Sequence, residues 1–235
     1  MLKECTISIY KNDVIKFILH HGWPDFFKRI WRWAAKSFYE NRSLYIFKLI
    51  SKTAAEPDQN IRIAELTQDD IDGMRKIMYA NRASLQGRFS REDRCFAVLE
   101  GGDILSFFWA RFGEKYLPEL HLKFHLRPHQ VWMYNAVTVK RARGRGLYPN
   151  IIRHMTQVLG QEGIDELFVD VEETNQPSLR AVARAGCKKI ARIQIKKIFS
   201  TTKYYLQIYD EITWQQLAET IDNFGNIRCI IEGEL

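Results

Sequence analysis

The 235-residue sequence has no run of about 18 apolar residues, so no segment reads as a membrane-spanning helix. Its four cysteines, Cys5, Cys95, Cys187 and Cys229, are scattered and form no Cys-x-x-Cys pair. That pattern reads as reduced, mostly buried thiols in a cytosolic protein. The opening MLKECTISIYKND carries charge where a signal peptide is apolar, so a cytoplasmic location is expected. Repeats and low-complexity tracts are absent. A Gly-x4-Gly-Lys-Ser/Thr string is also absent, which excludes a nucleoside-triphosphate P-loop. A dinucleotide fingerprint fails as well: Gly144 and Gly146 supply its first pair, but the third glycine position is Pro149. Finally, no acidic residue lies between Asn175 and Tyr209, a stretch holding eight Lys and Arg.

What is present is an ordinary globular composition, with 46% hydrophobic residues and a formal net charge of +7. The charge suits an acidic partner without choosing among nucleotide cofactor, nucleic acid, lipid and anionic sugar. The most informative stretch is VWMYNAVTVKRARGRGLYPNII at 131–152. An apolar strand runs into Arg143-Gly144-Arg145-Gly146-Leu147-Tyr148, and a helix follows with Pro149 in its first turn. Strand, glycine turn and helix N-terminus together form an anion-binding geometry, because the first helical amides have no intrahelical partner. Lys140, Arg141, Arg143 and Arg145 add positive charge there.

Residues 1–59 read as an N-terminal helical extension. Its elements are a short helix around Val14–Ile18, an amphipathic helix from Asp25 to about Tyr39, a strand over Leu44–Ser51 and a linker at 53–60. Residues 60–235 read as one domain. Its expected elements are a strand at IRIAEL, a helix over DIDGMRKIMYAN capped by Thr67 and Asp70, and a hairpin of Cys95–Glu100 with Ile104–Phe112. An irregular stretch at 113–130, a strand at Val131–Val139 and an amphipathic helix at Leu147–Leu159 follow, the helix ended by Gly160 and Gly163. A strand at Leu167–Val171 and a helix at Pro177–Ala185 come next, with Pro at its start and Gly186 past its end. A closing hairpin at 187–198 and 203–209, a helix at Glu211–Ile221 and a strand at Arg228–Glu232 finish the chain. The order implies an α/β fold of the α+β mixed-sheet kind: a central mixed sheet flanked by helices, with an N-terminal helix and strand extension.

The glycine turn resembles the acyl-CoA loop of the GNAT N-acyltransferase superfamily, Arg/Gln-x-x-Gly-x-Gly/Ala. Arg141–Gly146 matches the pattern letter for letter, and Arg143–Tyr148 matches except at Tyr148. The second register is preferred because it turns Ile151 and Ile152 inward. A second motif, Asn175-Gln176-Pro177-Ser178 through Gly186-Cys187, is similar to the family's strand-end Asn, short helix and closing Gly-Phe, with Cys187 in place of Phe. The resemblance covers about 61–209. It implies that acetyl-CoA, or another acyl-CoA, is the co-substrate, with no metal. Val137, Thr138 and Val139 would pair with the pantetheine arm. Arg143, Gly144, Arg145, Gly146, Leu147 and Tyr148 would hold the pyrophosphate, and Asn175, with Ser178, would lie beside pantetheine. Arg184, Arg180 or Lys188 would reach the adenosine-side phosphate.

The resemblance also implies direct attack of an amine on the thioester. This needs a base for the amine, an amide to polarise the carbonyl and a route for the thiolate. Glu172 and Glu173 end the fifth strand of the family pattern and face opposite ways, and Glu173 is the favoured base. The family's usual helix Tyr is here Val182, which leaves Tyr148 or Tyr134 as candidate acids. Each feature also has a plainer reading: Asn175 as a helix cap, the arginines as a solvated turn, the glutamates as surface acids. His121, His125 and His129 are spaced by four, but Pro128 interrupts the helix a metal site would need.

The helix at 25–39 interleaves aromatic and basic residues, so it either packs on the catalytic domain or makes peripheral membrane contact. The expected acceptor is a small-molecule or amino-sugar amine. Nucleic acid is not an expected partner, and homodimerisation stays open. The rival functions are an aminoacyl-tRNA-dependent transferase of related fold and a non-catalytic ligand-binding module.

Overall fold

The computed structural model describes residues 39–78, 80–118, 122–198, 201–219, 221–222 and 230–231. The expected helices at 14–18 and 25–39 lie outside these. By its internal contacts the chain divides into two units, 1–41 with 195–203 and 42–194 with 204–235. The description below concerns the second.

Twelve strands are described: β1 (Tyr39–Ile50), β2 (Ile63–Leu66), β3 (Arg94–Glu100), β4 (Asp103–Arg111), β5 (Glu114–Leu117), β6 (Leu122–His125), β7 (Gln130–Thr138), β8 (Glu166–Glu172), β9 (Lys188–Ile198), β10 (Thr201–Ile208), β11 (Ile221–Asp222) and β12 (Ile230–Ile231). The α-helices are α1 (Ile71–Ile77), α2 (Arg82–Phe89), α3 (Leu147–Gln161), α4 (Gln176–Ala185) and α5 (Glu211–Ala218). Nine strands form one mixed sheet in the order β12-β10-β9-β1-β8-β7-β4-β3-β2.

Alternation along β3 and β4 sends side chains to two cores. Phe96, Val98, Leu105 and Phe108 pack with the apolar face of α3, where Leu147, Ile151, Ile152, Met155 and Leu159 are buried. Cys95, Ala97, Ile104, Phe107 and Trp109 pack against Ile71, Met74 and Leu85 of α1 and α2. The Thr67–Asp70 capping box forms as expected and opens a short 3-10 turn ahead of α1.

Several boundaries differ from the expectation. The strand read as part of a separate N-terminal extension is β1, which pairs antiparallel with β8 from Leu44↔Glu172 to Ile50↔Glu166. Its Leu44, Ile46, Phe47 and Leu49 are buried, so this stretch belongs to the core of the main sheet. The stretch at 113–130 is not irregular: β5 and β6 form a hairpin joined by β11 in a second sheet, with Leu117, Leu122 and Phe124 buried. The helix expected over 70–81 stops at Ile77. A separate α2 follows, capped by Asn81, whose side chain accepts from the Ser84 amide at 2.7 Å. Gly160 lies inside α3 instead of ending it. A Cβ there would stand 2.9 Å from the Ser51 Cβ, so the glycine permits close approach of the helix to the end of β1. The last helix ends at Ala218 rather than Ile221.

Candidate active site

The sheet opens at β7. Its parallel pairing with β8 runs from Gln130↔Glu166 only to Met133↔Val169. Its antiparallel pairing with β4 continues to Thr138, with a register shift opposite Phe108. At that shift Asn135 adopts φ 56°, a left-handed conformation that asparagine tolerates better than most residues. The bulge bends β7 away from β8. Beyond Met133, the edge of β7 that faces β8 therefore carries no strand partner among the described residues. The gap is a cavity of about 370 Å³ lined by Tyr134, Asn135 and Ala136 on one side and Val169–Glu172 on the other. Phe108, Lys115, Leu117, Pro118, Tyr148 and Asn175 complete its described wall.

Past β7 the chain makes a 3-10 turn and then the glycine loop. Gly144 (φ 81°) and Gly146 (φ 75°) both hold left-handed backbone, where a side chain would be strained. Gly146 caps α3, and Asn150 Nδ2 donates to its carbonyl at 3.0 Å. The Asp58 amide donates to Asn150 Oδ1 at 3.0 Å, which ties the segment before β2 to the loop. Ser106 Oγ donates to the Val137 carbonyl (2.9 Å) and meets Thr138 Oγ1 (2.8 Å), which anchors the end of β7 to β4.

A second cavity, about 550 Å³, lies over this loop. It is lined by Ala136, Val137, Thr138, Arg143, Gly144 and Gly146, by the first residues of α3, and by Pro177, Arg180, Ala181 and Arg184 of α4. No acid lines it. The arginines of the region sort into two groups. Arg141 meets Asp103 at 2.9 Å and Arg145 meets Glu100 at 2.6 Å, so both are neutralised at the surface. Arg143, Arg180 and Arg184 face the cavity with no carboxylate partner among the described residues. Backbone amides at a helix start, two glycines and three unneutralised guanidiniums fit a pyrophosphate with a further phosphate.

Tyr148 lines both cavities. Its ring meets Phe108 edge-on, with 5.0 Å between centroids. Burial, with smaller contributions from Cys187 and Asp170, raises its pKa far above the ordinary 10.0, so the phenol stays protonated. Burial likewise pushes the Cys187 thiol up to about 12, which leaves it inert.

The profile of the acetyltransferase (GNAT) family matches residues 59–187, more than half of the chain. This chain belongs to the GNAT acetyltransferase family. No curated protein gives a significant sequence match. Among solved structures, a GCN5-related N-acetyltransferase from Sphaerobacter thermophilus shares 13% identity over 72% of this chain and 56% of that one, with a TM-score of 0.52. An acetyltransferase from the GNAT family from Colwellia psychrerythraea shares 15% identity over 69% and 57%, with a TM-score of 0.50. At these identities the likeness is one of fold, and the chain spans less than two thirds of the length of either structure.

Within this GNAT domain the expected site residues separate. Val137, Thr138, Arg143, Gly144, Gly146, Leu147, Tyr148 and Arg184 gather around the larger cavity. Val139 and Arg145 do not line it: the Val139 amide donates to the Leu105 carbonyl, and Arg145 is held by Glu100. Asn175 lines the smaller cavity while its Oδ1 caps α4 by accepting from the Ser178 amide at 3.3 Å. Ser178 supplies that amide and lines neither cavity.

The two glutamates reverse the expected order. Glu172 lines the gap, with Arg42 Nε donating to it at 3.1 Å. Glu173 faces the other way, accepting from Arg192 at 2.9 and 3.1 Å and from the Tyr45 hydroxyl at 2.8 Å. Arg192 above all, and then Tyr45, holds the Glu173 carboxyl down at about 2, a poor setting for a base. Tyr134 is not a free acid either, since its hydroxyl donates to Asp93 at 2.7 Å. Asp93 is buried and also accepts from the Arg111 guanidinium. Sequence reading missed Asp93 and Arg111 because they meet Tyr134 only once β3, β4 and β7 lie side by side in the sheet.

Proposed function

We propose that the chain transfers an acyl group, most simply acetyl, from acyl-CoA to a primary amine by direct attack. The observation that carries this reading is the placement of Tyr148 at the junction of two cavities. One is a basic groove over the glycine loop. The other is the gap between β7 and β8.

Acyl-CoA supplies the activated thioester. Amides from Gly144 to Tyr148, with Arg143, Arg180 and Arg184, hold its phosphates. The free edge of β7 at Ala136–Thr138 orients the arm that leads into the gap. A backbone amide on this edge polarises the carbonyl as charge develops. Glu172 takes the amine proton, directly or through one water. The Tyr148 phenol, kept protonated by burial, donates to the departing sulfur. A Glu172 base in place of Glu173 follows from which side chain enters the gap.

The test is a thiol-release assay with acetyl-CoA and a panel of primary amines. Wild type is expected to release CoA thiol only when amine is present. Tyr148→Phe is expected to lower kcat by about 10²-fold, the scale of general acid–base catalysis, with acetyl-CoA affinity unchanged. An unchanged kcat would remove the proton-donor role from Tyr148.

A further inference from the structure

A third cavity of about 760 Å³ lies between α1 and α2, which pack on the other core from α3. Its described lining is Arg75, Met78, Ala80, Asn81, Ser84 and Arg88, with no acid among them. Arg75 has a loose partner in Asp72 at 3.7 Å. Arg88 has none: among the described residues no carboxylate comes within ion-pair distance of it. Yet Arg88 is half-buried, its guanidinium 5.2 Å from the Trp109 ring and 5.3 Å from the Tyr134 ring. With its amide oriented to satisfy both partners, Asn135 accepts from the two Nη atoms of Arg88 at 2.6 and 2.9 Å. Among the described residues the guanidinium is stacked and oriented by neutral groups, and no anion meets its remaining donors.

Two of the three residues that hold Arg88 also line the gap. Tyr134 and Asn135 form one wall of the cavity beside Glu172 and Tyr148, and both meet Arg88. Lys115 lies 4.7 Å from the Tyr134 ring and lines the same gap. A molecule whose amine enters the gap thus meets a preformed cationic fork one side chain away.

We infer that the amine acceptor carries an anionic group, a carboxylate or a phosphate, and that Arg88 binds it. The inference rests on the acyltransferase reading for the amine. The anion site itself does not depend on that reading. A planar guanidinium suits bidentate recognition of either group.

Two measurements test it. The first is the melting temperature with CoA saturating, so that the glycine loop is filled, and with inorganic phosphate titrated. Wild type is expected to gain stability with phosphate. Arg88→Gln is expected to lose that gain, and Arg88→Lys to keep part of it. The unliganded melting temperatures report whether each variant folds. An equal phosphate response in wild type and Arg88→Gln overturns the inference.

The second measurement compares matched acceptors in the thiol-release assay: glucosamine with glucosamine 6-phosphate, and an amino acid with its amide. One anionic member is expected to have a KM about tenfold or more below its neutral partner, a preference that Arg88→Gln removes. The pair that shows the effect distinguishes phosphate from carboxylate. Turnover with a preference for the neutral members overturns the inference. A phosphate response without any thiol release counts against the acyltransferase reading and not against the anion site.

Discussion

Glu172 and Glu173 are neighbours at the end of β8, and strand alternation sends one into the gap and the other against Arg192. The prediction at this scale is a contrast. Glu172→Gln is expected to lower kcat for amine-dependent thiol release by about 10²–10⁴-fold. Glu173→Gln leaves kcat within a few-fold and changes acid stability instead. The folded-state pKa of Glu173 is depressed from the ordinary 4.5 to about 2. Its contribution is therefore present above 4.5 and is lost as pH falls toward 2. Melting curves of the two proteins are expected to converge over that interval. A rate loss confined to Glu173→Gln would return the base to Glu173. The alternation itself was legible in the sequence. Which acid faced the gap was not, because that depends on the register of β1 against β8 and on Arg192, nineteen residues along the chain from Glu173.

At the scale of elements, the periodic segments were readable: α3, α4, β7 and β8 lie where apolar spacing, Pro177 and the glycines place them. The segments that were not readable carry weak local signals. Helix α2 buries only Leu85 of its own residues, and the β5–β6 hairpin gains its apolar burial only when the strands meet. Gly160 shows how a correct residue invites a wrong reason, since it reads as a helix end and serves as a contact. In an ordinary helix interior, Gly→Ala stabilises by about 1 kcal/mol. Here the new methyl would stand 2.9 Å from Ser51 Cβ. Gly160→Ala is therefore expected to destabilise by about 1–3 kcal/mol, as overpacking does. Denaturant unfolding of the two proteins reads the sign directly, and a more stable variant would refute the close-approach account.

For the whole molecule, the formal charge of +7 says little until the arginines are sorted by partner. Those at 141 and 145 are neutralised, while those at 143, 180 and 184 converge on one groove and Arg88 meets Tyr134 and Asn135, two residues of the gap wall. The sequence showed the first motif and the second as two strings. The fold makes them one wall, because α3 and α4 pack together, with Arg153 donating to the Arg184 carbonyl at 2.6 Å. The central claim is that this groove holds acyl-CoA. Calorimetric titration with acetyl-CoA of wild type and of the Arg180→Gln, Arg184→Gln double variant tests it most directly. A micromolar dissociation constant for wild type, weakened about tenfold or more in the variant and weaker still at high salt, is the predicted result. Absence of wild-type binding at about millimolar acetyl-CoA, or equal affinity in the two proteins, would contradict it.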